Sequence, residues 1–323
     1  MSKTNSFLDY VCNLNDEDFN LLKQAVDTRI DKELYGVTSF EEAAIKYGRK
    51  PICPKCGSSN YCLDGKSSAN HSRYLCLDCN ASYTLLSNSI LNSSKISFHK
   101  LMNYISLMSF NVPHELIAEI LDIGANTTDL WRKKIFETVN NYQDHIKLYD
   151  QIFIDETYLE DYNVLAIKQD NKHLRGLSRS KICIVVAIDS YKNMVAIVSG
   201  HGKPSSKMIT SALGSHITPN ATIIHDGDHS HYQLIKKLKL KEEVYKANNK
   251  DEYYLKNMAL INNMCAWLKR YIWRFIGMDI NNLQSYLNWF IYLQRVKRDN
   301  EKWPKTSRIL RHLVLSNTKL TRK

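Results

Sequence analysis

Glycine and proline are scarce in this chain of 323 residues, at 11 and 6, which excludes a collagen-like or low-complexity polypeptide. No apolar stretch approaches the roughly 20 residues needed to cross a membrane. The start, Met1-Ser2-Lys3-Thr4-Asn5, leads into mixed polar and apolar residues rather than a signal-peptide core. No internal repeat is visible, so a solenoid or propeller is not expected. Acid is also under-represented: 33 Asp and Glu stand against 44 Lys and Arg, giving +11 and a pI near 9.1. These absences point to a globular, cytoplasmic protein with a polyanionic partner. The sign of the charge alone does not separate DNA from RNA.

A hydrophobic content of 44% over this length suffices for two or three folded units, one of them with a sizeable core. Eight cysteines raise the question of a disulfide framework, but four fall into two tight pairs, which favours metal binding. Cys53-Pro54-Lys55-Cys56 and Cys76-Leu77-Asp78-Cys79 have the spacing of two knuckles closing one tetrahedral thiolate site for Zn²⁺. Four thiolates leave no open position, so this zinc is expected to be structural, holding together residues 49–92, which are poor in apolar side chains. Cys12, Cys62, Cys183 and Cys265 have no partners at ligand spacing and read as ordinary small buried residues.

Residues 1–48 read as helical, with Phe7, Leu8 and Val11, then Phe19, Leu21, Leu22 and Val26 at spacings near three and four; Asn15 or Asp16 would cap the second helix. Residues 95–140 contain three amphipathic segments, Phe98 to Phe110, Pro113 to Leu121 and Thr127 to Val139, with a turn at Asp122-Ile123-Gly124-Ala125, the arrangement of a helix-turn-helix. If the third is a recognition helix, Asn126, Thr127, Thr128 and Asp129 reach base edges, and Arg132, Lys133 and Lys134 meet phosphates. The alternative is a connector of three packed helices whose basic run is a solvated face.

Residues 148–300 open with strand candidates at Gln151–Ile154, Lys181–Asp189 and Met194–Ser199. A helix at Ser206–Leu213, a strand at Ala221–Asp226, a helix at Ser230–Leu238 and two long helices near Lys256–Phe275 and Asn281–Val296 follow. This order describes a mixed α+β or α/β domain, a ribonuclease H-like mixed sheet with helices. Trp267, Trp273 and Trp289 sit at helical spacing among apolar residues and read as core. A basic tail, 301–323, is suited to nonspecific phosphate contacts.

Two apolar runs end on aspartate, Ile152-Phe153-Ile154-Asp155 and Thr222-Ile223-Ile224-His225-Asp226, and a polar position, Asn262, follows on a helix. Carboxylates from separate elements converging on Mg²⁺ or Mn²⁺ are what two-metal phosphodiester cleavage requires. Glu156 is the second choice beside Asp155, because strand alternation points it to the opposite face. Asp228 rivals Asp226. His225, His229 and His231 invite a histidine metal cluster, but without a second His-rich segment they read as a strand-to-helix turn with Ser230 as a cap and His231 near a scissile phosphate.

The chain resembles the DDE superfamily of bacterial insertion-sequence transposases, in particular the ISXO2-like group with an N-terminal zinc ribbon and Asn followed by Lys at the end of the triad. The resemblance runs from about residue 35 to 297. It rests on the four-cysteine ribbon ending in Tyr83-Thr84-Leu85, Phe153-Ile154-Asp155-Glu156-Thr157, Arg175-Gly176-Leu177-Ser178, His225-Asp226 with Ser230-His231, and Asn262 with Leu268-Lys269-Arg270. It implies Asp155 and Asp226 as metal ligands, Asn262 where many relatives have Glu, and Lys269 as the accompanying base. It also implies a strand-binding loop carrying Lys168, Lys172, Arg175, Arg179 and Lys181. The implied partner is double-stranded DNA, both element ends and target, held by a homo-oligomer; the implied activity is strand cleavage followed by strand transfer. A domesticated DNA-binding regulator that no longer cuts is the alternative, and Glu242, Glu243, Asp251 or Glu252 would supply a third carboxylate if Asn262 does not hold that place.

Overall fold

The computed structural model describes residues 3–68, 70–92, 94–161, 181–246, 252–275, 277–298 and 304–318. They form two compact units, 1–138 with 301–323, and 139–300. Among the described residues no helix is long and apolar enough to cross a membrane.

The first unit begins with α1 (Lys3–Cys12), α2 (Asp16–Tyr35) and α3 (Phe40–Lys46). Asn15 caps α2, its side-chain oxygen accepting from Asp18 N, and Gly36 ends it in the left-handed conformation that a Schellman-type stop requires. The apolar stripe of α2 is not turned inward. Asp31 is the buried residue of the helix, accepting from His99 Nδ1 at 3.0 Å, while Phe19, Val26 and Ile30 remain exposed.

The ribbon is a three-stranded antiparallel sheet of β1 (Tyr61–Lys66), β2 (Ser72–Cys76) and β3 (Ser82–Thr84). Then come α4 (Phe98–Ser109), α5 (His114–Leu121) and α6 (Ala125–Glu137), which pack through Leu101, Tyr104, Ile105, Ile117, Trp131 and Ile135. Pro113 stands just before the first residue of α5, where its lack of an N–H costs nothing.

The second unit holds a five-stranded sheet. Its strands are β4 (Gln151–Glu160), β5 (Lys181–Asp189), β6 (Met194–His201), β7 (Thr222–His225) and β8 (Lys241–Val244), in the order β6-β5-β4-β7-β8. The first three are antiparallel neighbours, with β4 and β5 in unbroken register from Ile152↔Asp189 to Glu160↔Lys181. Both β7 and β8 run parallel to β4. This order and sense is the ribonuclease H-like fold.

Helices α7 (Ser206–Leu213) and α8 (Tyr232–Leu238) close one face over Ile152, Ile154, Val185, Ile209, Ile223 and Leu234. After α9 (Glu252–Asn257), α10 (Ala259–Ile272) packs on β4 and β5, and α11 (Leu283–Arg298) packs on β6. Because side chains alternate along a strand, Ile152, Ile154 and Glu156 belong to the α7–α8 face and Phe153 and Asp155 to the α10 face.

Two expectations change here. Beyond residue 303, the segment read as a basic tail forms α12 (Lys305–Leu315), which belongs to the first unit and packs on α3 and α4. Its Ile309, Leu310, Leu313 and Val314 are buried, a stripe at spacings of one, three and four that outweighs the charge count. Arg49 fixes its end, donating to the carbonyls of Leu85 at 2.7 Å and Val314 at 2.6 Å. Of the three tryptophans read as core, Trp289 is buried, but Trp267 and Trp273 are 56% and 74% exposed.

Candidate active site and metal centres

Each Cys-x-x-Cys hairpin of the ribbon is closed by a left-handed residue, Gly57 (φ +77°) and Asn80 (φ +54°), whose N–H donates to the carbonyl of the pair's first cysteine, 2.9 Å in both cases. Gly and Asn are the residues that adopt this conformation at least cost. The four sulfurs of Cys53, Cys56, Cys76 and Cys79 all lie within 4.8 Å of one another, with Cys53–Cys79 and Cys56–Cys76 at 3.5 Å. A tetrahedral ion with Zn–S bonds of about 2.3 Å requires sulfurs roughly 3.8 Å apart, so the donor set fits zinc. Burial opposes ionisation of Cys53, but the N–H groups of Cys56 and Lys55 and the neighbouring thiols bring it down to about 6.

In the second unit the parallel ladder pairs Gln151↔Thr222, Ile152↔Ile223 and Phe153↔Ile224. Two residues further along stand Asp155, still on β4, and Asp226, one residue past the end of β7. Asp155 is partly buried and its carboxyl is pushed up to about 6 by burial, against the Glu156 N–H that donates to it at 2.8 Å, with the charges of Glu156 and Asp226 adding to the rise. Crowding of this kind is relieved by a cation.

Facing Asp155 is α10, whose Cys265 Sγ lies 3.8 Å from Asp155 Oδ2. Burial and the Asp155 charge push the Cys265 thiol well up, so it stands as a neutral donor. Asn262 and Lys269 precede and follow Cys265 by three and four residues, which sets all three along one helix face. Asn262 is half-buried. Lys269 lines an open cleft of about 330 Å³ with Tyr158, Ile272, Trp273 and Met278. Asp155, Asn262 and Lys269 are therefore brought to one side of the sheet.

Glu156 points to the other face, as alternation requires. There it lies 2.9 Å from His231 Nε2. His231 Nδ1 is 2.7 Å from His225 Nδ1, and His225 Nε2 is 3.0 Å from Glu242 on β8. The N–H of Gly227 donates to His225 Nδ1 at 3.2 Å, so that nitrogen accepts and His231 Nδ1 donates to it. His225 then carries its proton on Nε2, toward Glu242, and one further proton lies between His231 and Glu156. Burial, followed by the neighbouring His231, lowers the His225 pKa, in keeping with a neutral ring. Gly227 turns the chain here at φ +87°, where an added Cβ would stand 2.8 Å from Val244.

Several expectations are revised by these contacts. His231, with no side-chain exposure, is held inside the sheet edge and does not face a phosphate. Ser230 is not the cap; Asp228 is, accepting from Ser230 N at 2.8 Å. Asp228 also pairs with Lys203 at 2.7 Å, and although burial opposes it, Lys203 and Ser230 hold its carboxyl down to about 2. A carboxylate so engaged is a poorer rival to Asp226. Glu242 lies on β8 and is turned to His225, on the face opposite α10, while Glu243 follows it on the same edge strand. Lys203, in the Gly202-Lys203-Pro204 loop, was not singled out by any motif; its pKa is raised first by Asp228 and also by Glu156 and Asp226.

In the first unit, Arg132 is withdrawn from the role of phosphate contact. It is 3% exposed and donates from Nη2 to Val112 O at 2.7 Å. Consecutive helical residues point about 100° apart, so Lys133 is outside, paired with Asp129 at 2.8 Å, and Lys134 lies over the Trp131 ring at 4.6 Å. Thr128 is buried, which leaves Asn126, Thr127 and Lys133 on the exposed side. Lys168, Lys172, Arg175, Arg179 and Asp251 lie outside the described residues.

Among solved structures, the chain is similar to a simian T-cell lymphotropic virus intasome in complex with PP2A regulatory subunit B56 gamma (13% identity, 52% of this chain and 55% of that chain, TM-score 0.32). It is also similar to the Mos1 transposase paired-end complex with left transposon end (10% identity, 66% and 75%, TM-score 0.27). A Mos1 mariner paired end complex with Mn gives 10% identity, 66% and 74%, and a TM-score of 0.28. The chain thus spans about half the length of the first of these. No curated protein matches it. The model of the ISXO2-like transposase domain matches residues 147–294, a span that holds Asp155, Asp226, Asn262 and Lys269. This segment belongs to the ISXO2-like transposase domain family.

Proposed function

We propose that the protein is the transposase of an insertion sequence, which binds double-stranded DNA at the element's ends, cleaves a strand there and joins the freed 3′-hydroxyl to target DNA. The observation that supports this reading is the parallel pairing of β4 and β7, which ends two residues before Asp155 and Asp226, with α10, bearing Asn262, Cys265 and Lys269, packed on β4. Asp155 and Asp226 hold Mg²⁺ or Mn²⁺, which when bound supplies an activated attacking oxygen and charge neutralisation on the leaving oxygen. Asn262 offers a neutral carbonyl oxygen to the same centre. Lys269, at the mouth of the cleft, meets the phosphate or the leaving strand. Burial around Asp155 and Cys265 excludes water and strengthens each of these interactions.

Domain roles follow the same division. Residues 49–92 bind structural zinc, 95–140 contact the element ends through Lys133, Lys134 and the start of α6, and 148–300 cut and join. Arg175 and Arg179 contact the DNA. Two ends must be held together for joining, which calls for at least a dimer on DNA. The test is a Mg²⁺- or Mn²⁺-dependent nicking assay on DNA carrying the element's own ends, with Asp155→Ala and Asp226→Ala in parallel. Nicking by the intact protein that both variants abolish, with end binding retained, supports the reading. An intact protein that binds its ends and never nicks them overturns it in favour of a regulator.

A further inference from the structure

The turn behind Asp226 brings together a second set of donors. One nitrogen of His225, one of His231 and a carboxylate oxygen of Asp226 lie within 4.8 Å of one another. Both imidazoles are buried, with side-chain exposures of 1% and 0%. Each has its Nε2 held by a carboxylate from a different strand, His225 by Glu242 on β8 and His231 by Glu156 on β4, at 3.0 and 2.9 Å. That leaves the two Nδ1 atoms pointing at each other, 2.7 Å apart.

We propose that His225, His231 and Asp226 form a site for a first-row transition-metal dication, bound through the two Nδ1 atoms and one carboxylate oxygen. Metal-ligating histidines characteristically give their second ring nitrogen to a carboxylate, which fixes the ring and raises its basicity. Here both rings have that arrangement at once, and the partners come from strands on either side of β7. A pair of core histidines serving packing alone has no need of two separate carboxylate anchors. Imidazole suits iron, cobalt, nickel and zinc, and manganese, though it favours oxygen, takes imidazole more readily than magnesium or calcium do. The site therefore differs in cation class from a centre made of Asp155, Asp226 and Asn262 oxygens.

The required adjustment is small. Metal–nitrogen bonds of about 2.0–2.1 Å in a tetrahedral arrangement place the two nitrogens roughly 3.3 Å apart, a few tenths of an ångström beyond the present separation. A cation also replaces the hydrogen bond between the rings, with the His231 Nδ1 proton released to solvent, and the one from Gly227 N–H to His225 Nδ1. Asp226 is shared with the proposed reaction centre, so the catalytic consequence, preference for a manganese-class ion over magnesium, rests on the proposed function. Uptake of the cation does not.

The decisive experiment is pulsed electron paramagnetic resonance of Mn²⁺ added to the full-length, zinc-loaded protein. Manganese stands lowest in the divalent affinity order and does not displace zinc from four thiolates, and nitrogen couplings distinguish this site from a centre made of oxygens alone. Expected are ¹⁴N couplings typical of directly bound imidazole, weakened in His231→Gln together with a tenfold or greater loss of Mn²⁺ affinity, and kept in Asp155→Asn. Bound Mn²⁺ without ¹⁴N couplings in the intact protein, or no bound Mn²⁺, overturns the inference regardless of how any variant folds. Unchanged couplings in His231→Gln overturn it as well. Nicking in the absence of ¹⁴N couplings sinks this inference and spares the proposed function; couplings without nicking do the reverse.

Discussion

Asp155, on β4, and Asp226, one residue past the end of β7, each stand two residues beyond the paired Phe153 and Ile224. The pairing of β4 with β7 brings residues 71 apart in the chain near enough for the Asp226 charge to act on Asp155, and the burial that surrounds Asp155 works against its charge.

That conflict makes Asp155 costly to the metal-free protein. Its folded pKa, about 6, lies above the ordinary aspartate value of 3.8, so the folded state binds more protons between those values and stability falls as pH rises through the window. Metal-free protein is expected to melt progressively lower from about pH 4 to 6. Asp155→Asn should remove that slope and raise stability at neutral pH by on the order of 2 kcal/mol. Thermal melts with chelator at several pH values check this; a variant no more stable than the parent at pH 7 contradicts it.

The same proton competes with metal. Affinity for Mg²⁺ or Mn²⁺ at this centre should weaken on acidification below about pH 6, by close to tenfold per unit if one proton is displaced. Calorimetric titration at pH 5, 6 and 7 reads the slope. A flat profile would show that Asp155 is not a ligand.

Arg132 and Lys133 are neighbours with opposite fates. Arg132→Ala should cost about 2 kcal/mol of stability by removing a buried hydrogen-bonded charge, seen in denaturant unfolding. Lys133→Ala should leave stability within about 0.5 kcal/mol and lower the salt dependence of DNA binding by about one phosphate contact. The opposite pattern would place Arg132, not Lys133, on the DNA.

How far these features can be read from residues alone depends on what each pattern encodes. The cysteine pairs and the strand-ending aspartates are legible because their spacing is itself the structure: a knuckle is local, and an apolar run ending in Asp marks a strand end. Helical periodicity shows only that residues share a face. It does not show which face turns inward, so Arg132 reads as exposed and Trp273 as core, and nothing in the apolar spacing of α2 shows that it is Asp31 that reaches His99. Strand β8 escapes notice because Lys241-Glu242-Glu243-Val244 is a charged edge, the composition that edges use against further pairing. The His225–His231 contact joins residues six apart through a turn set by Gly227, and its carboxylate anchors come from β4 and β8. No local pattern carries that information.

The ribbon offers an independent check. Cys76→Ser should lose one zinc per chain and render residues 49–92 sensitive to protease, because the metal supplies folding free energy that this small apolar core does not. Zinc release measured colorimetrically, beside limited proteolysis, tests both halves. A zinc-free segment that still resists protease contradicts the assignment.

The central claim is that Asp155 and Asp226 act together as the metal-holding pair of a DNA-cutting and joining site. It is tested most directly by Mg²⁺-dependent nicking of DNA bearing the element's ends, with intact protein, Asp155→Ala and Asp226→Ala at matched end binding. The account predicts cleavage by the intact protein and a loss of at least a thousandfold in each variant, the order expected when a two-metal site loses a ligand. Cleavage that survives either substitution within tenfold contradicts it.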